Sequence, residues 1–288
     1  MFAAIGSCLL LLAASAGAVR LEGQVGAGGG YQGNVTMAAA GSPTSGSGLG
    51  AAWAALGAGW DPAEDTYLYG GLRYDGGIYP GATDLNRNAG GVDLMWLQAF
   101  GDQFAIVVGA GSAWIWYADS ARSGPGVSAR VTLRVKPWSW LALRAGYVYA
   151  QRWAEDEAYS TSSNSVLASA EARIAPGVYL GLAYAWLTGP QTFYGSVPVA
   201  ANTRANANGP GGGGAGPGSG GGTPTGNGVF SDLVPYLAEA TENTLTPTFE
   251  ATVWQGLYLL ASYSYTWGAS SEGSYTVQYA FGGAGYRF

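Results

Sequence analysis

The sequence predicts an all-β fold, a closed antiparallel β-barrel that crosses a membrane on about twelve strands, with ten to fourteen as the range. Three observations predict it. Period-two alternation of apolar and polar residues recurs along most of the chain. Only 10% of the 288 residues are charged, against about 25% in a soluble domain, whose surface has to stay wet. After the N-terminal segment no run of about 18 apolar residues occurs, so any crossing is made by strands closed into a barrel.

The first 18 residues read as a secretory signal. Leu9-Leu10-Leu11-Leu12-Ala13-Ala14 is an apolar run, and Ala16-Gly17-Ala18 is a small-residue cleavage site. No Lys or Arg precedes the run, which makes the signal atypical. The single Cys, Cys8, lies inside it, so the barrel of 19–288 has no disulfide available.

Strands are expected near 20–34, 48–60, 65–78, 88–100, 103–118, 125–136, 140–153, 163–174, 177–188, 243–254, 257–268 and 273–288. The clearest is Val127–Val135. There Val127, Ala129, Val131, Leu133 and Val135 share one face, while Ser128, Arg130, Thr132 and Arg134 share the other. Short connections such as Asp61-Pro62-Ala63-Glu64, Gly101-Asp102 and Gln255-Gly256 alternate with longer ones. That is the layout of a barrel with short periplasmic turns and long outer loops. The longest connection, 189–242, contains a Gly/Pro/Ser/Asn/Thr tract at 205–228 that is too polar to bury and reads as a flexible outer loop. Gly28-Gly29-Gly30-Tyr31-Gln32-Gly33 formally spells a nucleotide motif, but no helix follows it, and the glycines read as easing strand curvature.

Tryptophans test the layout. Trp60, Trp96, Trp138, Trp140 and Trp254 fall near the short-turn ends. Trp53, Trp114, Trp116, Trp153, Trp186 and Trp267 fall toward the long-loop ends. Amphipathic rings favour the membrane–water boundary, so two girdles are expected. The series Leu257, Leu259, Ala261, Tyr263, Tyr265, Trp267 spans ten residue steps. Tilted by about 40°, it rises roughly 25 Å, the height of a barrel's apolar band.

The last residues, Tyr286-Arg287-Phe288, resemble the C-terminal signature of bacterial outer-membrane barrel proteins, a porin-like class. That signature ends in an aromatic residue with a second one two positions earlier. The resemblance implies a cell outer-membrane location and recognition of Tyr286 and Phe288 by the barrel-assembly machinery. Gly282, Ala280 and Gln278, on the same face, are weaker than the pattern asks, and a bulge at Gly282-Gly283 would reset the register.

Much chemistry is excluded. Without histidine there is no Ser-His-Asp triad, His-based metal site or histidine base, so no enzyme activity, cofactor or metal is expected. Glu155-Asp156-Glu157 has no partner carboxylate in sequence reach and reads as a solvated loop edge. Asp84-Leu85-Asn86-Arg87-Asn88 spaces oxygen ligands like a calcium loop but lacks the required Gly and Glu. A net charge of −6 argues against nucleic acid as a partner.

What remains is charge inside the barrel. Alternation points Arg73, Arg130, Arg134, Arg144, Arg152 and Arg173 inward, with Glu22, Asp93, Glu171 and Glu250. Two arrangements stay open: Arg–carboxylate pairs that rigidify a nearly plugged barrel, and an uncompensated arginine track that guides anions. Twelve strands and an arginine-bearing lumen look like the narrow channels that pass acidic oligosaccharides. The expectation is a narrow passive channel for small anionic or sugar-like solutes. The alternative is a non-transporting surface scaffold or the outer-membrane component of an export assembly.

Overall fold

A computed structural model describes residues 19–37, 45–195, 234–271 and 273–288. The expected signal segment and the glycine-rich tract at 205–228 lie outside the described residues. Twelve strands are present: β1 Arg20–Gly33, β2 Ser47–Ala63, β3 Thr66–Ile78, β4 Arg87–Phe100, β5 Phe104–Tyr117, β6 Gly124–Trp138, β7 Leu141–Arg152, β8 Thr161–Ala175, β9 Val178–Gly195, β10 Val234–Trp254, β11 Leu257–Ser270 and β12 Gly273–Arg287. Each pairs antiparallel with its neighbours in sequence, and β12 pairs with β1, so the sheet closes. Closure leaves no edge strand whose backbone would face lipid unpaired.

Directly opposed residues share a face, so one known position fixes the whole sheet. Glu22 opposes Gly57, Gly57 opposes Gly71, Gly71 opposes Asp93, and Asp93 opposes Gly111. The Tyr67 hydroxyl on β3 donates to the Glu22 carboxylate on β1 at 2.7 Å, reaching over β2. Side chains that skip a strand meet on the concave side of a curved sheet, so this face is the interior. The opposite face carries Leu72, Leu94, Val131, Leu133, Val166, Leu182, Leu259 and Tyr263, all exposed large apolar residues. A soluble barrel would hide such residues inside; here the greasy side is out, as lipid requires.

Trp114, Trp116, Trp138, Trp140, Trp153, Trp186, Trp254 and Trp267 are exposed on the outside, and Trp60 is half-buried there. Trp138 and Trp140 stack at the β6–β7 turn, with centroids 5.5 Å apart and planes 9° apart. Tyrosines add to the long-loop rim through three cross-strand pairs that composition alone does not show. Tyr74, Tyr147 and Tyr184 donate their hydroxyls to Asn88, Asn164 and Asn243 at 2.6, 2.5 and 2.6 Å. Each pair satisfies an amide oxygen that would otherwise face the boundary unpaired.

Three expectations need correction. Trp53 is not a girdle residue: it opposes Gly26 and Asp75 on the inner face and donates its indole N–H to the Tyr258 hydroxyl at 3.2 Å, across β1 and β12. No bulge resets β12, whose register runs unbroken against both neighbours, so Gly282, Ala280 and Gln278 do face out and Phe281 and Tyr279 face in. The long connection does not start at 189 and end at 242. β9 continues to Gly195 and β10 begins at Val234, with pairing from Val234–Gly195 downward. None of the β1 glycines Gly26, Gly28, Gly29, Gly30 and Gly33 has a positive φ. A Cβ on Gly26 would collide with the Trp53 ring, and one on Gly28 with the Gly282 carbonyl and the Phe281 ring.

The seam closes at the chain's last residue. Gly23 and Phe288 exchange both backbone hydrogen bonds at 3.0 Å. The Phe288 ring lies over Gly23, where a Cβ would strike it, and stacks on Tyr286 with centroids 6.4 Å apart.

Candidate functional site: a polar and aromatic lumen

Twelve strands about 4.8 Å apart and tilted about 40° make a ring roughly 24 Å across between opposite backbones. Side chains from all sides therefore share one enclosed space, which they do not fill uniformly.

The β6–β8 wall is cationic. Arg130 lies across Gly109, its neighbour on β5, where a Cβ would meet its Nε at 2.8 Å. Arg134 and Arg144 are directly opposed across β6 and β7, a like-charge pairing that costs stability unless compensated. Glu171 on β8 compensates Arg144 at 3.2 Å. The Arg134 Nε has no hydrogen-bond partner. Toward the short-turn end a cavity of about 180 Å³ is lined by Arg134, Lys136, Arg173, Glu171 and Tyr179. Three cations there meet one carboxylate. Among the described residues no ion pair forms to Arg130, Arg134 or Arg173.

Elsewhere several charges are paired, while Glu22 and Glu242 accept from the Tyr67 and Tyr275 hydroxyls. Arg73 pairs with Asp93 at 3.4 Å and Arg87 with Asp75 at 3.2 Å on β3 and β4. Glu250 accepts two hydrogen bonds from Arg287, at 2.7 and 2.8 Å. Among the described residues the two arrangements left open by the sequence thus coexist: ion pairs on β3–β4, β7–β8 and β10–β12, and Arg130, Arg134 and Arg173 without one. Arg87 and Arg287 are functional-looking cations that alternation also places inside but that the sequence reading did not single out. Arg152 stands apart from the arginine wall. It is tied at the long-loop end to the Arg122 carbonyl and the Tyr117 hydroxyl, with its guanidinium 4.8 Å from the Tyr117 ring centroid.

Between these walls β8, β10 and β11 present hydroxyls. Thr244 bonds Thr266 at 2.8 Å and Thr246 bonds Ser264 at 2.9 Å; Ser165 and Ser169 face the same space.

The outer end is narrowed by loops. Val35, Ala82 and Tyr159, from the connections after β1, β3 and β7, form one buried cluster, with Tyr79, Leu85, Ala121 and Ala154 against it. Three short 3₁₀ turns, Thr83–Leu85, Ser120–Arg122 and Glu157–Tyr159, shape these connections. Asp119 and Asp156 cap two of them by accepting from the backbone N–H of Ala121 and Ala158. Arg122, only 5% exposed, pairs with Asp119 at 3.1 Å and lies 4.8 Å from the Tyr159 ring centroid. Burial raises the pKa of the Asp84 carboxyl beside it, against the opposing pull of Arg122. Loops from four neighbouring hairpins that touch one another must lean inward over the mouth. The acidic Glu155-Asp156-Glu157 and the Asp84–Asn88 stretch therefore build this roof. Their oxygens cap turns: Asn86 Oδ1 accepts from the Tyr79 backbone N–H at 2.5 Å.

A comparison with protein-family descriptions finds no match, and neither does one with curated protein sequences. Solved structures do match. An outer-membrane channel from Pseudomonas putida F1 aligns with a TM-score of 0.53 at 10% identity, over 96% of this chain and 98% of that one. The NanC porin aligns at 0.47 and 11% identity over 93% and 99%, and the KdgM porin at 0.47 and 8% over 92% and 99%. At 10% identity the likeness to the Pseudomonas channel is one of fold, and that fold is the closed antiparallel barrel of outer-membrane channels.

Proposed function

We propose that this chain is a narrow, passive outer-membrane channel for small anionic or sugar-like solutes. One observation carries the reading: Arg130, Arg134 and Arg173 line one wall of a barrel with a greasy exterior and form no ion pair among the described residues. Fixed cations in a low-dielectric tube raise the local anion concentration and exclude cations. The solute diffuses down its gradient, with no cofactor and no chemical step; the chain has no histidine to serve as a base. Tyr286 and Phe288 on the outer face at the seam suit recognition by the barrel-assembly machinery. Planar-bilayer recordings test the channel. Anion-favouring conductance is expected, reduced several-fold in selectivity by the triple variant R130Q/R134Q/R173Q. A silent or cation-selective barrel sinks the reading.

A second reading, a surface scaffold or export component, has one observation in its favour. β10 is 21 residues long, roughly 70 Å of strand, where a crossing needs about 10 residues. The β9–β10 hairpin therefore stands well clear of the membrane. Removing 190–239 should abolish capture of a partner if the hairpin docks one, and unchanged capture counts against it.

A further inference from the structure

The lumen has a second specialised wall, made of rings. On β12, Tyr279 and Phe281 stack with centroids 6.1 Å apart and planes 11° apart. Phe281 meets Trp53 of β2 at 6.1 Å, and Trp53 donates to Tyr258 of β11 at 3.2 Å. Tyr258 in turn lies 4.1 Å from the Arg287 guanidinium, which holds Glu250. From Arg287 to Tyr279 is eight residue steps on β12, about 20 Å along the barrel axis. The rings lie down because glycine is beneath them. Gly26 and Gly283 under Trp53, Gly28 under Phe281 and Gly285 under Tyr258 leave no room for a Cβ. A ring that stands on a sheet shows its edge; a ring laid on a glycine floor shows its face. A face is what stacks on another flat apolar surface.

This wall is opposite the arginines. In a ring of twelve, β12 and β2 lie six strands from β6 and β8. Heights agree as well. From Trp53 the rungs run through Asp75, Ala89 and Ile115 to Gly124. Four tilted strand spacings climb about 12 Å, and six residues down β6 to Arg130 descend about 15 Å. Arg130 thus faces the Trp53–Phe281 pair from within about one residue step of its height. Hydroxyls adjoin the rings, since Ser262 opposes Phe281 and Ser264 opposes Tyr279.

We infer that Trp53 and Phe281, with Ser262 and Ser264 beside them, form a binding subsite for a rigid ring with an apolar face and a polar, acidic edge. The ring stacks on the aromatic wall, its polar edge meets Ser262 and Ser264, and the cationic β6–β8 wall across the lumen favours an acid over a neutral ring. Two sources share that chemistry, an aromatic acid and a uronic-acid sugar. The subsite rests on the channel reading for its position in a path, but not for its ability to bind.

The test is isothermal titration calorimetry of the detergent-folded barrel with benzoate, galacturonate and acetate, folding being checked by heat-modifiable migration. Benzoate, galacturonate or both are expected to bind at least tenfold more tightly than acetate. W53L/F281L should remove that advantage and leave acetate unchanged. Whichever ring acid shows the dependence identifies the source. If the double variant does not fold, G26A, which lifts the Trp53 ring while keeping it, replaces it with the same expected loss. Equal affinity for all three acids in the wild type, or unchanged affinity in the folded variants, overturns the subsite. Because binding is read without current, a barrel that binds ring acids but conducts cations rejects the channel and keeps the subsite. An anion-selective barrel with no ring preference does the reverse.

Discussion

At the scale of single residues, the sequence shows where side chains point far better than what they meet. Alternation put Arg130, Arg134 and Arg144 on one face and Leu133 and Leu143 on the other, and parity alone sufficed. Pairing needs register, which no single strand contains: that Glu171 reaches Arg144 while Arg134 goes without depends on which residue of β8 lies beside which of β7. Glu171→Gln should therefore release Arg144 and raise the anion-to-cation permeability ratio about twofold, measured by reversal potential in a salt gradient; an unchanged potential would mean the pair lies off the conducting path. Trp53 shows the other failure. Tryptophan was read by type, as a boundary residue, although its odd position on β2 placed it with Gly57 and Gly59 inside. Gly26→Val should displace that ring and, with it, the Trp53–Tyr258 hydrogen bond, seen as a change in near-ultraviolet circular dichroism with strand content intact.

At the scale of elements, the strands were legible because each needs only a local, period-two pattern and a turn. The roof was not. Val35, Ala82 and Tyr159 are isolated apolar residues in loops, and only the ring geometry brings their hairpins together. Tyr159→Ala should cost the roof about 3 kcal/mol of local stability by removing a buried ring. The expected readout is faster hydrogen exchange in 79–86 and 153–160 with unchanged exchange in β6 and β7; protection lost evenly would show that roof and wall unfold as one unit. The extension of β9 and β10 was also missed, because Thr188–Gly195 and Val234–Glu242 mix Pro, Gly and Glu into the alternation.

For the whole molecule, the inversion of greasy and polar sides is what separates this barrel from a soluble one. Leu133→Arg places a charge on the outer face near the middle of β6 and should destabilise the folded barrel in lipid by about 2–4 kcal/mol. The measurement is a urea titration in vesicles, with Thr132→Arg on the inner face as the contrast; equal costs would contradict the assigned sides.

The seam between Gly23 and Phe288 carries one more consequence, concerning time. The two strands that seal the cylinder are the first and the last of the twelve, so their free margins cannot meet until the ten strands between them are in place. Until those two meet, each carries a row of unpaired backbone groups, so closure is a long-range step and is expected to be the slow one.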